Sequence, residues 1–152
     1  MACEPVAWLS PGEMAAWRAL ICTHARLFAR LDSELVAAHG LTLAAYDVLA
    51  QLSEAPDSTR RMAELAQASL VSRSGLTRRV DGLAKAGLVA RRTCPTDGRG
   101  SMAALTDEGR RRLAEAAPTH LAGVRRHLVD RLSPPELEVL AKALGRVASE
   151  LG

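Results

Sequence analysis

The sequence predicts a mainly helical chain that carries one small β-hairpin. Three observations lead there. Hydrophobic residues fill 48% of the 152 positions but aromatic ones only 3%, so the core must be assembled from Ala, Leu and Val. Those residues suit helix packing better than sheet packing. Apolar residues recur at helical spacing along most of the chain. One window, from Leu70 to Gly109, breaks that pattern with a helix, a Gly stop and two short strands around a Pro/Asp/Gly/Arg loop.

Ser10-Pro11-Gly12-Glu13 has capping-box spacing with Pro at the first helical position. The helix it starts runs to about Ala38, with Gly40 as its stop and Trp17, Leu20, Leu27, Leu31 and Leu35 at helical spacing. Thr42 caps a second helix, Leu43–Ser53, with Tyr46, Leu49 and Leu52 on one face. Ala55-Pro56-Asp57-Ser58 is a turn cluster. Met62–Ala68 is a short helix with Leu65 inward, and Ser69-Leu70-Val71 is the turn after it. The next helix spans about Ser72 to Ala86, and Leu76, Val80 and Leu83 mark its buried stripe. At about 100° per residue, Ser74, Thr77, Arg78, Asp81 and Lys85 lie opposite that stripe, and Arg73 and Arg79 flank it.

Gly87 ends this helix, Leu88–Arg92 and Ser101–Leu105 are strands, and Cys94–Gly100 is the loop between them. Thr106 caps a helix from Asp107 to about Arg131, with Leu113, Ala117, Leu121, Val124 and Leu128 along its seam. Pro118 should kink that helix or open one hydrogen bond. Ser133-Pro134-Pro135-Glu136 repeats the capping-box pattern. In the last helix Leu137, Leu140, Leu144, Val147 and Leu151 are spaced 3, 4, 3, 4, which is a heptad seam.

Helix, strand, loop, strand is the order of a winged helix-turn-helix, which offers a helix to the major groove of DNA and a hairpin tip to the minor groove. The predicted fold class is therefore mainly α with a small β-hairpin wing: a winged helix-turn-helix plus a helical dimerisation region. Residues 41–106 form the DNA-binding lobe of the single 1–152 chain, and 10–40 and 107–152 the helical region. The outer helices carry apolar stripes beyond the small winged core. Leu121, Val124, Leu128, Leu137, Leu140, Leu144 and Val147 are the candidate dimerisation residues, since a chain with two such stripes buries them in a dimer.

Net charge is +3 and the isoelectric point about 9.1, a mild excess that suits nucleic acid. Lys occurs only at Lys85 and Lys142, so the other cationic side chains are Arg, which can fork to phosphate or guanine. No apolar run is long enough for a membrane span, and no signal-peptide pattern opens the chain. Cys3, Cys22 and Cys94 form no CxxC pair, which fits a reducing cytoplasm. Cys22, beside the first helix's stripe, reads as a small buried hydrophobe. Neighbouring Arg91 and Arg92 could lower the pKa of Cys94.

Ser72–Asp81 (SRSGLTRRVD), Leu83–Arg92 (LAKAGLVARR) and Pro95–Gly109 (PTDGRGSMAALTDEG) together resemble the MarR family of transcriptional regulators. So does Leu41-Thr42 with Tyr46-Asp47-Val48-Leu49. The Asp97-Gly98-Arg99 wing followed by Leu105-Thr106 and Gly109 is the most specific part. The resemblance covers nearly the whole chain. It implies a homodimer whose first, fifth and sixth helices intertwine, and in most cases a repressor bound to a pseudo-palindromic operator. It also implies release by a small phenolic or lipophilic ligand, or in a minority by oxidation of a cysteine. Two departures stand out. Gly75 occupies a position where the family often has a larger residue, at a helix cost of about 1 kcal/mol relative to Ala. The first helix lacks the Cys with nearby Tyr residues of the peroxide-sensing branch.

Arg78 and Thr77 are the foremost candidates for base edges, with Ser74 and Arg73 next. Ser72 caps the helix and leaves backbone N–H groups for a phosphate. Arg99, flanked by Gly98 and Gly100, suits the narrow minor groove, and Asp97 would hold the loop. Arg91 and Arg92 are phosphate contacts or solvated charges. Arg110, Arg111 and Arg112 read better as braces. Trp17, His24 and Tyr46 are candidate walls of an effector pocket in the crevice between the outer helices and the winged lobe; the plainer alternative is ordinary packing. No catalytic triad, metal-ligand spacing, phosphate loop or dinucleotide fingerprint is present, so neither an enzyme nor a cofactor is expected. The partners expected are double-stranded DNA, a second copy and a small aromatic or lipophilic effector. A thiol-based stress regulator on the same fold, through Cys22 or Cys94, and an interaction adaptor without DNA binding are the alternatives.

Overall fold

The computed structural model describes residues 7–68, 73–93 and 100–151, and of Arg73 the backbone alone. Among these residues six α-helices and three strands follow in the order α1 (Pro11–His39), α2 (Leu43–Ser53), β1 (Thr59–Arg61), α3 (Met62–Ala68), α4 (Arg73–Lys85), β2 (Val89–Thr93), β3 (Ser101–Leu105), α5 (Asp107–His127) and α6 (Pro134–Leu151).

Local side chains set most of the helix ends. The Ser10 hydroxyl accepts the Glu13 N–H at 3.3 Å while the Glu13 carboxylate accepts the Ser10 N–H at 2.7 Å. That backbone bond holds the Glu13 carboxyl below the usual carboxylate range. Gly40 closes α1 with φ +62°, a left-handed value that glycine adopts without strain, and its N–H bonds Val36 O. Thr42 and Thr106 cap α2 and α5 through the N–H groups of Ala45 and Gly109. At Ser133 only half of the reciprocal pattern forms, because Glu136 takes both the N–H and the hydroxyl of that residue.

Four elements differ from the sequence reading. β1 was not expected: three residues carry no usable alternation, and their antiparallel partners in β3, Met102–Ala104, lie far along the chain. It completes a sheet of order β1-β3-β2. β2 starts at Val89 rather than Leu88, since the Leu88 N–H still bonds Leu83 O in the turn. α4 ends at Lys85, with Gly87 at φ +74°. α5 runs unbroken through Pro118 but ends at His127 rather than near Arg131, where a separate tight turn, Val129–Arg131, follows.

The core is one cluster. Leu31 and Leu35 of α1, Val48, Leu49 and Leu52 of α2, Leu65 of α3, Leu76 and Val80 of α4, Ala103 of β3 and Ala116 of α5 all belong to it. α5 joins through small residues: a Cβ on Gly123 would lie 2.7 Å from Leu31 Cδ2, so the two helices can approach closely there. The expected α5 seam is only partly buried, with Leu113 and Val124 packed against the core. Leu113 and Val124 are half-buried, and Leu121 is 59% exposed.

Two segments stand outside this core. From Pro11 to Arg26, α1 has no buried residue, and α6 has none along its length. Trp17 is 52% exposed, Leu20 44% and Val147 49%. Cys22 belongs to this projecting stretch and is exposed, not buried as expected, because α1 runs past the core it was thought to pack on.

Candidate nucleic-acid interface

α4 divides into two faces. Leu76, Val80 and Leu83 are 1%, 0% and 6% exposed, which confirms the stripe read from spacing. Ser74, Thr77, Arg78, Asp81 and Lys85 are exposed on the other side. Arg78 has no hydrogen-bond or ion-pair partner among the described residues, so its guanidinium is available to a ligand. β2 and β3 pair beside α4 in register Val89↔Leu105 to Thr93↔Ser101, and β2 is exposed from Arg91 to Thr93. Ser72, the side chain of Arg73, Cys94, Asp97 and Arg99 lie outside the described residues.

The basic residues divide by partner. Arg91 Nε pairs with Asp81 Oδ1 at 2.9 Å, tying the hairpin to α4, and its NH1 donates to Ser101 Oγ at 3.3 Å. Arg92 is exposed with no partner among the described residues. Arg110 donates to Ser58 Oγ, Arg111 pairs with Glu108 and Glu115, and Arg112 donates to the His39 carbonyl at the end of α1. These three are braces. Neither Asp81 nor Thr42, which accepts a hydrogen bond from Arg79, was a candidate from sequence. Nothing local marks either pairing, since the partners lie on other elements.

Two of the three candidate pocket residues meet and the third does not. Trp17 and His24 line an apolar cleft of about 560 Å³ with Leu20, Phe28, Leu128, Leu140 and Leu144. His24 packs on Phe28 with ring centroids 4.3 Å apart. The cleft lies between α1 and α6, not between the outer helices and the winged lobe. Tyr46 is elsewhere, against His120 of α5 at 4.5 Å. Burial there raises the Tyr46 pKa and lowers that of His120, so both stay neutral more readily. Trp17 and His24 share one helix pair, α1 with α6, and Tyr46 belongs to another, α2 with α5. Beside the cleft, Thr23, Arg26, Arg30 and His127 line a smaller pocket of about 290 Å³. Its rim is steadied by Glu34, whose carboxyl is held low by a 2.8 Å contact with His127.

A sequence profile of the MarR family matches residues 39–100. AbsC, a MarR family transcriptional regulator from Streptomyces coelicolor, is 37% identical with a TM-score of 0.87, over 96% of this chain and 98% of its own. The chain belongs to the MarR family of transcriptional regulators. Sco3205, a MarR family regulator of the same organism solved in complex with DNA, is 38% identical with a TM-score of 0.89, over 95% of this chain and 94% of its own. Sco5413, a third MarR family regulator from that organism, is 26% identical with a TM-score of 0.78, over 93% and 97%. No curated protein sequence matches significantly. Membership fixes the fold as a winged helix and the general role as transcription regulation. The small antiparallel sheet that includes β2 and β3 corresponds to the wing of that fold. Among the described residues, no single helix is long and apolar enough to cross a membrane.

Proposed function

We propose that this protein is a homodimeric DNA-binding repressor that sets two α4 helices into successive major-groove turns of a pseudo-palindromic operator. The observation that carries this reading is the division of α4. Its apolar stripe is fully used by the core, while Ser74, Thr77 and the unpartnered Arg78 are left facing outward beside a basic hairpin. The DNA complex of the similar Sco3205 supports it. Arg78 forks to a guanine edge, Thr77, Ser74 and Arg73 read neighbouring bases, and Ser72 and Arg92 contact phosphates. Arg99, held by Asp97, enters the minor groove. Arg91 serves chiefly to fix the hairpin on Asp81. The region 41–106 is the DNA-binding lobe, and 10–40 with 107–152 the dimerisation region.

The test is a binding assay on duplexes selected from a random library by the wild-type protein. Arg78→Ala should weaken the selected duplex by about 1–3 kcal/mol and relax the preference at one position per half-site. Equal weakening on every sequence would make Arg78 a phosphate contact instead. A protein that selects no sequence would favour the adaptor reading.

The α1–α6 cleft favours regulation by a small aromatic or lipophilic acid. Its walls are apolar, and Arg26 and Arg30 line the pocket beside it. A ligand there acts by preferring one spacing of the two α4 helices. Salicylate added to the protein–DNA complex is expected to release DNA in wild type and much less in Trp17→Ala. Peroxide is expected to leave the complex intact. Peroxide release that disappears in Cys94→Ser or Cys22→Ser would move the input to a thiol.

A further inference from the structure

Arg78 and Arg79 are adjacent on α4 but differ in their surroundings. Arg78 is exposed; Arg79 is half-buried. Arg79 Nη1 donates to Thr42 Oγ1 at 2.9 Å, and its Nε is enclosed without a partner among the described residues. A guanidinium turned inward in this way is poorly placed to serve a phosphate. Thr42 is the N-cap of α2, and its hydroxyl oxygen also accepts the Ala45 N–H at 3.2 Å. Both lone pairs of that oxygen are therefore used. One residue further, the Leu43 N–H donates to Asp32 Oδ1 of α1 at 2.8 Å. A short chain of hydrogen bonds thus runs from α4 through the first turn of α2 to α1.

We propose that Arg79 is a positioning residue for sequence recognition, whose bond to Thr42 fixes the roll of α4 about its own axis. The inference rests on the DNA-binding reading above. Leu76, Val80 and Leu83 bury α4 well, but apolar packing is non-directional and tolerates small rotations. Side-chain tips on a helix lie roughly 6 Å from its axis, so a roll of about 10° moves them about 1 Å. Hydrogen bonds to base edges are confined to a range of about 0.5 Å. A directional bond on the flank of the stripe removes that freedom. The Asp81–Arg91 pair does the same towards the hairpin, so α4 is braced from both sides.

The test uses the full-length protein and a duplex selected by the wild type, against a scrambled duplex, over a range of salt. Arg79→Met keeps the apolar stem and removes the donor. It should bind the selected duplex about tenfold more weakly, with scrambled-duplex affinity, salt slope and melting temperature nearly unchanged. Arg79→Lys, which keeps a donor within reach of Thr42, should recover part of the loss. Thr42→Gly approaches the bond from the other side: glycine is nearly as good an N-cap but offers Arg79 no acceptor. It should reproduce the loss of specificity, and it decides the matter if Arg79→Met does not fold. Equal weakening on both duplexes with a salt slope shallower by about one per protomer would make Arg79 a phosphate contact and overturn the proposal. Full specificity in Thr42→Gly would overturn it too. A wild type that selects no sequence defeats the DNA-binding reading itself, which is a separate result.

Discussion

Replacing Leu140 and Leu144 together by Asp is expected to turn the protein into a folded monomer that no longer holds its operator. Both side chains lie mid-seam in α6 and line the cleft against α1. α6 has no buried residue within one protomer, although its heptad spacing is that of a helix meant to be covered. Trp17, Leu20 and Ile21 of α1 are exposed beside it, at 52%, 44% and 41%. On the homodimer reading, a second copy packs across both faces at once and roofs the cleft between them, which stays available to the ligand. Burying unpaired carboxylates in such a contact costs several kcal/mol per charge, and two substitutions per chain bring four charges to the dimer. The two half-sites would then be bound independently, and affinity for the paired site should fall by roughly 10²–10⁴. Sedimentation and circular dichroism separate the outcomes. A monomer with native helicity supports the assignment, because the core cluster contains no α6 residue. A stable dimer with full affinity would place α6 elsewhere. An unfolded chain would show that the face belongs to the protomer's own core.

Gly109→Ala is expected to destabilise the winged lobe by about 3 kcal/mol, at the upper end of overpacking effects. A Cβ at Gly109 would sit 2.0 Å from the Leu88 carbonyl oxygen and 2.8 Å from Leu105 Cδ1. The first of these is backbone and cannot swing aside. Leu88 O accepts the Thr106 N–H at 3.2 Å, and the Thr106 hydroxyl donates to Gly87 O at 2.7 Å. The start of α5 is thereby locked onto the turn after α4, and making room for a methyl group means breaking those bonds. Alanine's better helix propensity, worth about 1 kcal/mol, is too small to compensate. In urea titration at fixed protein concentration the midpoint should drop by about 1.5 M for a slope of about 2 kcal/mol/M. Gly82→Ala is the control, since no atom lies within 4 Å of its added Cβ. It should be neutral or stabilising by up to about 1 kcal/mol. Equal behaviour of the two variants would mean that α5 is not fixed at this approach.

Several features were determined by the sequence alone, and they share a physical cause. Ser10 with Glu13, Thr42, Thr106, Gly40 and Gly87 act within a turn or two of themselves, so the helix starts and stops they set are local events. The α4 stripe is a matter of helical period, and its exposed face with Arg78 follows by subtraction. The Arg-rich helix followed by a hairpin was enough to indicate the family. The tertiary structure alone decided what depends on partners distant in the chain. β1 exists because Ala103 and its neighbours offer an edge to three residues that have no strand pattern of their own. Gly109 looked like a signature residue, but the Leu88 carbonyl gives the reason for it. The sequence left Arg91 as a phosphate contact or a solvated charge and Arg79 as a flanking charge; their partners Asp81, 2.9 Å away, and Thr42 are visible only in the fold. Trp17 and His24 share a cleft that excludes Tyr46 because helix phase fixes which way a side chain leans, but not which helix it meets. Caps and periods are written in neighbours; pairings across 10 to 52 residues are set only when the core has closed and brought those elements together.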